Sequence, residues 1–419
     1  MPTVSNIHIE ISNKSQLLLP SCLAMISVLA NTTSPIFSPD RNFIVQALLK
    51  FTIYKQFCAG RKSSEILIFN KNLRSIGYSG VILSYAKETL FKKNDSRLVS
   101  SGALIGESIC EEVTNWTKGI LTTIDMVESD DFVALKLSGV GYHATNLLAI
   151  GSPASPILSK AIDSICDAAV RHNVRLLFDA EQAALQKGVN RWSLHWMAKY
   201  NKNGNQRALI YGTYQAYLKS TPSVLSSHLQ AALDDNFTLG VKLVRGAYLQ
   251  SDPRSLIHDT KADTDYAFDG IAAGLVCQEY EMFWSRRGSD ELLPSVNIML
   301  ATHNSTSIRK ILALQKALLE RGKISANVVY AQLQGMADDV SCELIAEKYQ
   351  TTSDAKHIAK VYKYLVWGTV GECMKYLLRR AHENREAIER TKVVRNAMWW
   401  EIVRRLRQGR SVLRAKPGM

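Results

Sequence analysis

Residues 156–181 read PILSKAIDSICDAAVRHNVRLLFDAE, and a change of period inside them decides the fold. Ser155 stands where a helix N-cap is expected and Pro156 at the first helical position, where its missing N–H costs nothing. Leu158, Ile162, Ile165, Cys166 and Ala169 then recur at helical spacing and predict a buried stripe through Val170. From 174 to 181 the pattern becomes VRLLFDAE, a short apolar run that reads as a strand buried on both faces and ending in carboxylates. A helix feeding a fully buried strand is the repeating unit of a parallel sheet.

Outward from this unit the same alternation continues in both directions. Strand-like runs lie at 81–84, 132–138, 174–181, 208–214, 240–248, 296–304, 327–335 and 361–368. Helical spacing intervenes between them, and no GxGxxG follows the first run. Eight such runs in one chain predict a (β/α)8 TIM-like barrel rather than a doubly wound sheet. A helical extension precedes it from Arg41 to Phe57, with Ile44, Leu48, Leu49 and Ile53 on one stripe. The expected organisation is an irregular segment over 1–40, the barrel with its arm over 41–390 and a basic tail over 391–419. The stretch after Gly246 is long enough for an extra helix over the barrel mouth, with a turn at Asp252-Pro253.

Composition narrows the function classes. The net charge is +13, from 51 Lys and Arg against 38 Asp and Glu. That balance suits a phosphate-bearing cofactor, an acidic membrane surface or nucleic acid. The 7 cysteines are scattered without a CxxC, and the 9 histidines show no HExxH. No metal site and no disulfide framework is expected, and a reducing compartment is. Residues 17–30 are apolar but short and broken by Pro20, so they make a poor membrane span. The first 35 residues hold no Arg, unlike a mitochondrial presequence. In the tail, Arg404, Arg405, Arg407, Arg410, Arg414 and Lys416 interleave with Trp399, Trp400, Ile402, Val403 and Leu406. This suits a helix lying on an anionic membrane, or a solvated terminal helix packed by its tryptophans.

Barrel chemistry gathers at the C-terminal ends of the strands. The polar side chains expected there are Lys136, Asp179 with Glu181, Gln215, Lys242, Arg245, Tyr248, Thr302, His303, Gln332 and Tyr364. On the helix that follows, Tyr376, Arg379, Arg380 and Glu383 share one face. Singly, most have plain explanations: a snorkelling lysine, a helix-capping aspartate, a turn pair at His303-Asn304, a solvated arginine pair. Together they make a cationic pocket with aromatic walls. Lys136, Arg379 and Arg380 suit a small carboxylate, and the groups from Gln215 to His303 suit a larger conjugated ligand carrying phosphates.

The series LFDAEQ (177–182), YQAYLK (214–219), VKLVRGAY (241–248), ATHN (301–304), LQGM (333–336) and YLLRR with HEN behind it (376–384) resembles the motifs of the proline dehydrogenase family, in order and spacing. FCAG (57–60), GYSGVILSYAKE (77–88) and Lys242 look more like its monofunctional eukaryotic, particularly fungal, branch. The resemblance implies an enzyme that binds FAD inside a distorted (β/α)8 barrel and oxidises L-proline to Δ1-pyrroline-5-carboxylate, passing electrons to a quinone or other acceptor. It also implies a mitochondrial location on the matrix side of the inner membrane, where the basic tail would offer a peripheral contact.

By resemblance, Lys136, Arg379 and Arg380 hold the proline carboxylate, while Tyr248, Leu333 and Tyr364 pack around the ring. Asp179, Lys242 and Tyr364 form the catalytic group. Gln215, Lys242, Arg245, Gly246, Ala247, Thr302 and His303 contact the cofactor. Lys242 stands where bacterial members carry Arg, and Leu249 where they carry Trp. One alternative keeps the flavin chemistry and takes hydroxyproline or another cyclic imino acid. A further one is a non-catalytic basic protein binding nucleic acid. The placement of basic residues in the barrel mouth argues against it, and no nucleic-acid partner is expected.

Overall fold

The computed structural model describes residues 24–30, 32, 34, 36–88, 102–202, 207–249, 251–279, 294–323, 326–350 and 359–386. The basic tail, and with it the membrane reading, lies outside these residues. The chain divides into two compact units, one spanning Lys55–Glu372 and the other Met1–Tyr54 with Cys373–Met419.

The larger unit is the barrel. Its strands are β1 Cys58–Gly60, β2 Gly80–Tyr85, β3 Phe132–Leu135, β4 Arg175–Phe178, β5 Ile210–Gln215, β6 Leu239–Val244, β7 Val296–Ala301, β8 Asn327–Leu333 and β9 Lys360–Trp367. They form one sheet in the order β1-β9-β2-β3-β4-β5-β6-β7-β8, and a β8–β9 pairing closes the ring. Every ladder between strands is parallel. All eight runs read from the sequence are strands of the ring, because side chains buried on both faces leave an uninterrupted apolar signature.

β1 is a ninth strand with no such signature. β8 ends opposite Tyr364, and β1 takes over the vacated edge of β9 at Val366 and Trp367. The segment after Gly246 also departs from expectation. Among the described residues it carries a single 3-10 turn at Arg254–Leu256 ahead of the ordinary barrel helix Lys261–Cys277, and no extra α-helix. Pro253 does turn the chain. Asp252 ties the loop down by accepting from the Ala183 N–H at 2.8 Å and the Tyr217 hydroxyl at 2.5 Å.

Helix Pro156–Arg171 starts at the predicted residue. The Ser155 hydroxyl pairs with His143 Nε2 at 2.9 Å rather than with the first helical N–H groups. The helix after β9, Val370–Glu386, opens with a reciprocal cap: Thr369 N–H donates to Glu372 at 2.8 Å, and Glu372 N–H donates to the Thr369 hydroxyl at 3.2 Å.

A plug closes the N-terminal end of the barrel. The Arg175 guanidinium lies 3.7 Å from the Phe132 ring centroid and donates to the Tyr362 hydroxyl at 2.8 Å. Tyr211 meets Phe132 edge to face at 5.4 Å. These contacts cross the lumen, so Phe132, Arg175, Tyr211 and Tyr362 point inward. Side-chain direction repeats every second residue along a strand. Lys136, Asp179, Gln215 and Tyr364 therefore point inward too, at the opposite end.

The smaller unit includes helix Phe43–Leu49, capped by Asn42, which accepts from the Ile44 and Val45 N–H groups. A π-helical turn, Lys50–Tyr54, follows. The apolar stripe predicted here is not uniformly buried, since Leu49 is 2% exposed but Ile44 is 76% and Leu48 54% exposed. Ile44 and Leu48 lie in the regular helix ahead of the widened turn, which shifts only Ile53 out of the register of that stripe.

Candidate active site

The C-terminal ends of β3, β4, β6 and β9 bring buried charges together. Lys242 lies in β6, level with Thr213 of β5 and Met299 of β7. Its ammonium donates to Asp179 Oδ1 at 2.5 Å and lies 4.9 Å from the Tyr364 ring centroid. Tyr364, from β9, donates its hydroxyl to the other oxygen of Asp179 at 2.5 Å. Asp179, just past β4, is thus held by a cation on one side and a phenol on the other. All three residues are buried. A buried carboxylate without a counterion is costly, and the Lys242 ammonium offsets that cost.

Lys136 follows β3 and is also buried. Its ammonium is paired with Glu88 at 2.8 Å, and the Glu88 side chain is only 5% exposed. This pair explains how a lysine survives at the end of an apolar strand. Glu88 closes the GYSGVILSYAKE stretch, and because 48 residues separate it from Lys136 no local pattern links the two. Glu181, two residues beyond Asp179, is a second unassigned carboxylate. It accepts from the Ser138 N–H and the Ser138 hydroxyl, each at 3.0 Å. Burial pushes its carboxyl up to about 7, against the lowering effects of Ser138 and Lys136, and Glu88 adds to the rise.

Beside this group runs a second row of polar residues. Gln215, at the end of β5, accepts from the Ala247 N–H at 3.0 Å and so fixes the turn after β6. Its amide nitrogen is buried with no hydrogen-bond partner. Arg245 pairs with Asp265, donates to the Ser307 hydroxyl at 2.7 Å and to the Thr302 hydroxyl at 3.3 Å, and lies 4.9 Å from the Phe268 ring. Thr302 and His303 lead into helix Ser305–Glu320, which Asn304 caps. His303 Nε2 accepts the Leu333 N–H at 3.2 Å, so in the neutral ring the proton is on Nδ1.

Tyr248 donates to the Ala180 carbonyl at 3.4 Å, bridging the β6 turn to the segment that carries Asp179 and Glu181. Gly246 owes its lack of a side chain to a neighbour within the chain, because a Cβ there would stand 2.5 Å from the Tyr217 ring. Arg379 and Arg380 lie on the part of helix Val370–Glu386 that belongs to the smaller unit, where the Arg380 guanidinium stacks 5.2 Å from the Tyr376 centroid. Of the predicted residues, the barrel unit therefore joins Asp179, Lys242 and Tyr364 by direct contact, with Gln215 and Ala247, Arg245 and Thr302, and His303 and Leu333 as further linked pairs. Among the described residues no cluster of His, Cys, Asp and Glu could hold a metal, and no helix is long and apolar enough to cross a membrane.

Three comparisons bear on this arrangement. The family model described as proline dehydrogenase matches residues 70–393. A Schizosaccharomyces pombe protein named "Probable proline dehydrogenase, mitochondrial" is 34% identical over 238 residues, 55% of this chain and 46% of that protein. A Pectobacterium carotovorum protein named "Carbapenem antibiotics biosynthesis protein CarD" is 27% identical over 380 residues, 87% of this chain and 91% of that protein. Among solved structures, proline utilization A from Bdellovibrio bacteriovorus, inactivated by N-propargylglycine, superposes with a TM-score of 0.65. It is 15% identical and covers 90% of this chain and 37% of that one, a likeness of fold.

Proposed function

This chain belongs to the proline dehydrogenase family, and on that premise we propose that it oxidises L-proline to Δ1-pyrroline-5-carboxylate with FAD as bound cofactor and a quinone-type acceptor. The mitochondrion is the proposed compartment, in keeping with the name of the Schizosaccharomyces pombe relative. One observation carries the reading: Asp179 held between the Lys242 ammonium and the Tyr364 hydroxyl in the mouth of the barrel.

The residues present suit a flavin. Gln215 has a buried amide donor to spend, as a ring bearing carbonyl acceptors requires. Lys242 supplies a cation, and Arg245, Thr302 and the start of helix Ser305–Glu320 suit a pyrophosphate. When bound, FAD supplies the hydride acceptor.

The chain's own part is to hold proline in place. Lys136 takes the carboxylate, which must displace Glu88 from the ammonium, and the family resemblance assigns Arg379 and Arg380 to the same carboxylate. Tyr364, Leu333 and Tyr248 wall the ring, restricting it to a pose from which the reaction is short in distance and entropy. Asp179 spends its charge on Lys242 and Tyr364, so the positive field of Lys136 favours loss of the proton from the prolinium nitrogen. That loss frees the lone pair that drives hydride departure.

A second reading, the same chemistry on another cyclic imino acid of a dedicated pathway, is favoured by the near full-length match to the Pectobacterium protein. Leu333 speaks for plain proline, because a ring hydroxyl against it would be buried without a partner.

The test is anaerobic titration of the purified yellow protein with L-proline and with trans-4-hydroxy-L-proline. Bleaching by proline with the larger kcat/KM is expected. A preference for hydroxyproline overturns the substrate, and no bleaching by either overturns the reading. Arg379→Ala or Arg380→Ala should raise the proline KM steeply, on the order of 2–5 kcal/mol, and an unchanged KM removes that arginine from the carboxylate's partners.

A further inference from the structure

Glu181 takes no part in the Asp179, Lys242 and Tyr364 group, yet it is buried at the same mouth. Both of its oxygens go to one residue, Ser138, through the main-chain N–H and the hydroxyl. Ser138 sits in the 3-10 turn Leu137–Val140, which begins directly after Lys136. The Lys136 carbonyl accepts the turn's own bond from the Gly139 N–H at 3.0 Å, and the Trp116 indole holds it from another side at 3.2 Å. The Glu181 N–H donates to Gln186 at 3.0 Å. Glu181 therefore braces the Lys136 turn against the segment carrying Asp179.

The charge count around this brace is unbalanced. Among the described residues, the charged groups facing Glu181 are Lys136, from the end of β3, and Glu88, from the segment after β2. Helix Ala183–Tyr200 presents the neutral Gln186, and helix Gly102–Asp125 presents Trp116. Asp179 is turned to Lys242 and Tyr364. With both glutamates ionised, one ammonium faces two carboxylates before any anionic ligand arrives. Within the barrel unit, a carboxylate that takes the place of Glu88 on the ammonium adds a third anion to this group, which favours one of them giving up its charge. Glu181 can do so without losing its contacts, because a serine hydroxyl accepts from an acid as readily as it donates to a carboxylate.

We propose that Glu181 is a positioning residue for the substrate's carboxylate, bracing the Lys136 turn through Ser138 and doing so as the neutral acid once that carboxylate is bound, so that binding draws one proton from solvent. The inference rests on Lys136 being the carboxylate's partner. Its elevated carboxyl, about 7, places the uptake near neutrality.

The probe is cyclopentanecarboxylate, which keeps the carboxylate and ring of proline but has no amine to titrate or oxidise. Calorimetry on the holoenzyme at pH 7.5, in two buffers of different ionisation enthalpy, gives both affinity and protons taken up. Wild type should take up a measurable fraction of a proton and bind several-fold more weakly at pH 8.5 than at pH 6. Glu181→Gln keeps both contacts and mimics the neutral acid. It should take up none, bind with pH-independent affinity at least equal to wild type, and retain the wild-type proline KM or better. Ser138→Ala, which removes one brace, should raise the dissociation constant and the proline KM about tenfold while changing kcat far less.

Equal proton uptake in wild type and Glu181→Gln overturns the inference. So does a Ser138→Ala protein with wild-type affinity, or one whose loss falls on kcat alone. If wild type neither binds the probe nor is bleached by proline, it is the functional reading that fails, whatever the variants do.

Discussion

Replacing Asp179 by alanine tests the central group most directly, because it removes one anion and strands two partners. Lys242 is 6% exposed and Asp179 7%, and their contact is 2.5 Å. Removing one member of a buried pair costs about 3–5 kcal/mol, because the remaining charge has neither water nor counterion. The Tyr364 hydroxyl loses a charged acceptor as well, on the order of 1–3 kcal/mol. The two losses do not add, since the ammonium already lies over the Tyr364 ring and can settle toward its oxygen. The expectation therefore stays at about 3–5 kcal/mol, or roughly 6–20 °C in Tm at the 2–4 °C per kcal/mol typical of larger domains. Calorimetric unfolding of Asp179→Ala beside the double variant Asp179→Ala/Lys242→Met reads it out. The double variant buries no stranded ion and should recover most of the loss, a coupling of about 2 kcal/mol or more. A single variant that melts with wild type, or a double variant no more stable than the single, would refute the claim that this ion pair is what keeps both charges tolerable.

Two further expectations concern the scaffold. His228, on the helix after β5, shares a 2.7 Å hydrogen bond with the Tyr214 hydroxyl, and burial pushes its imidazole down to about 4. The folded protein keeps this ring neutral while the unfolded chain protonates it below about 6.5. Stability is therefore full above that pH and falls by about 3 kcal/mol on the way to pH 4. Urea unfolding from pH 7.5 to 4.5 should show this slope, and His228→Gln should flatten it; an unchanged slope assigns the titration elsewhere. Gly246→Ala drives a methyl group to 2.5 Å from the Tyr217 ring, whose hydroxyl Asp252 anchors. The clash should cost about 1–3 kcal/mol and speed proteolysis within residues 246–260, whereas wild-type stability would show that the ring yields freely.

Legibility followed burial. The ring strands stood out in the sequence because side chains such as those of Val81–Leu83 and Leu176–Phe178 are buried on both faces. β1 left no trace, since Cys-Ala-Gly carries neither alternation nor bulk and is a strand only because β8 stops short of Val366. At the mouth, residue type and strand position were enough to nominate Lys136, Asp179, Gln215, Lys242 and Tyr364: the first three follow or end an apolar run, and the other two are polar residues set within one. What could not be read were pairings across the lumen. Asp179 and Tyr364 are 185 residues apart, and Glu88 reaches Lys136 from a segment whose own pattern says nothing of charge. The predicted lid helix failed for a related reason: the extra length after Gly246 went into a loop anchored by Asp252, a tertiary contact invisible to periodicity.

The closure of the ring has a consequence for how the protein comes into being. β2 completes its ladder only with β9, Val81 opposite Lys363, a separation of 363 − 81 = 282 residues. On a ribosome, the sheet must wait with raw edges along β2 and β8 until the chain has been translated beyond Trp367. Sequence-distant pairing of this kind is slow, and unsatisfied strand edges invite other chains to add on. Newly made copies are thus most exposed to misassembly just before β9 emerges, when nearly all of the barrel exists except the stave that seals it.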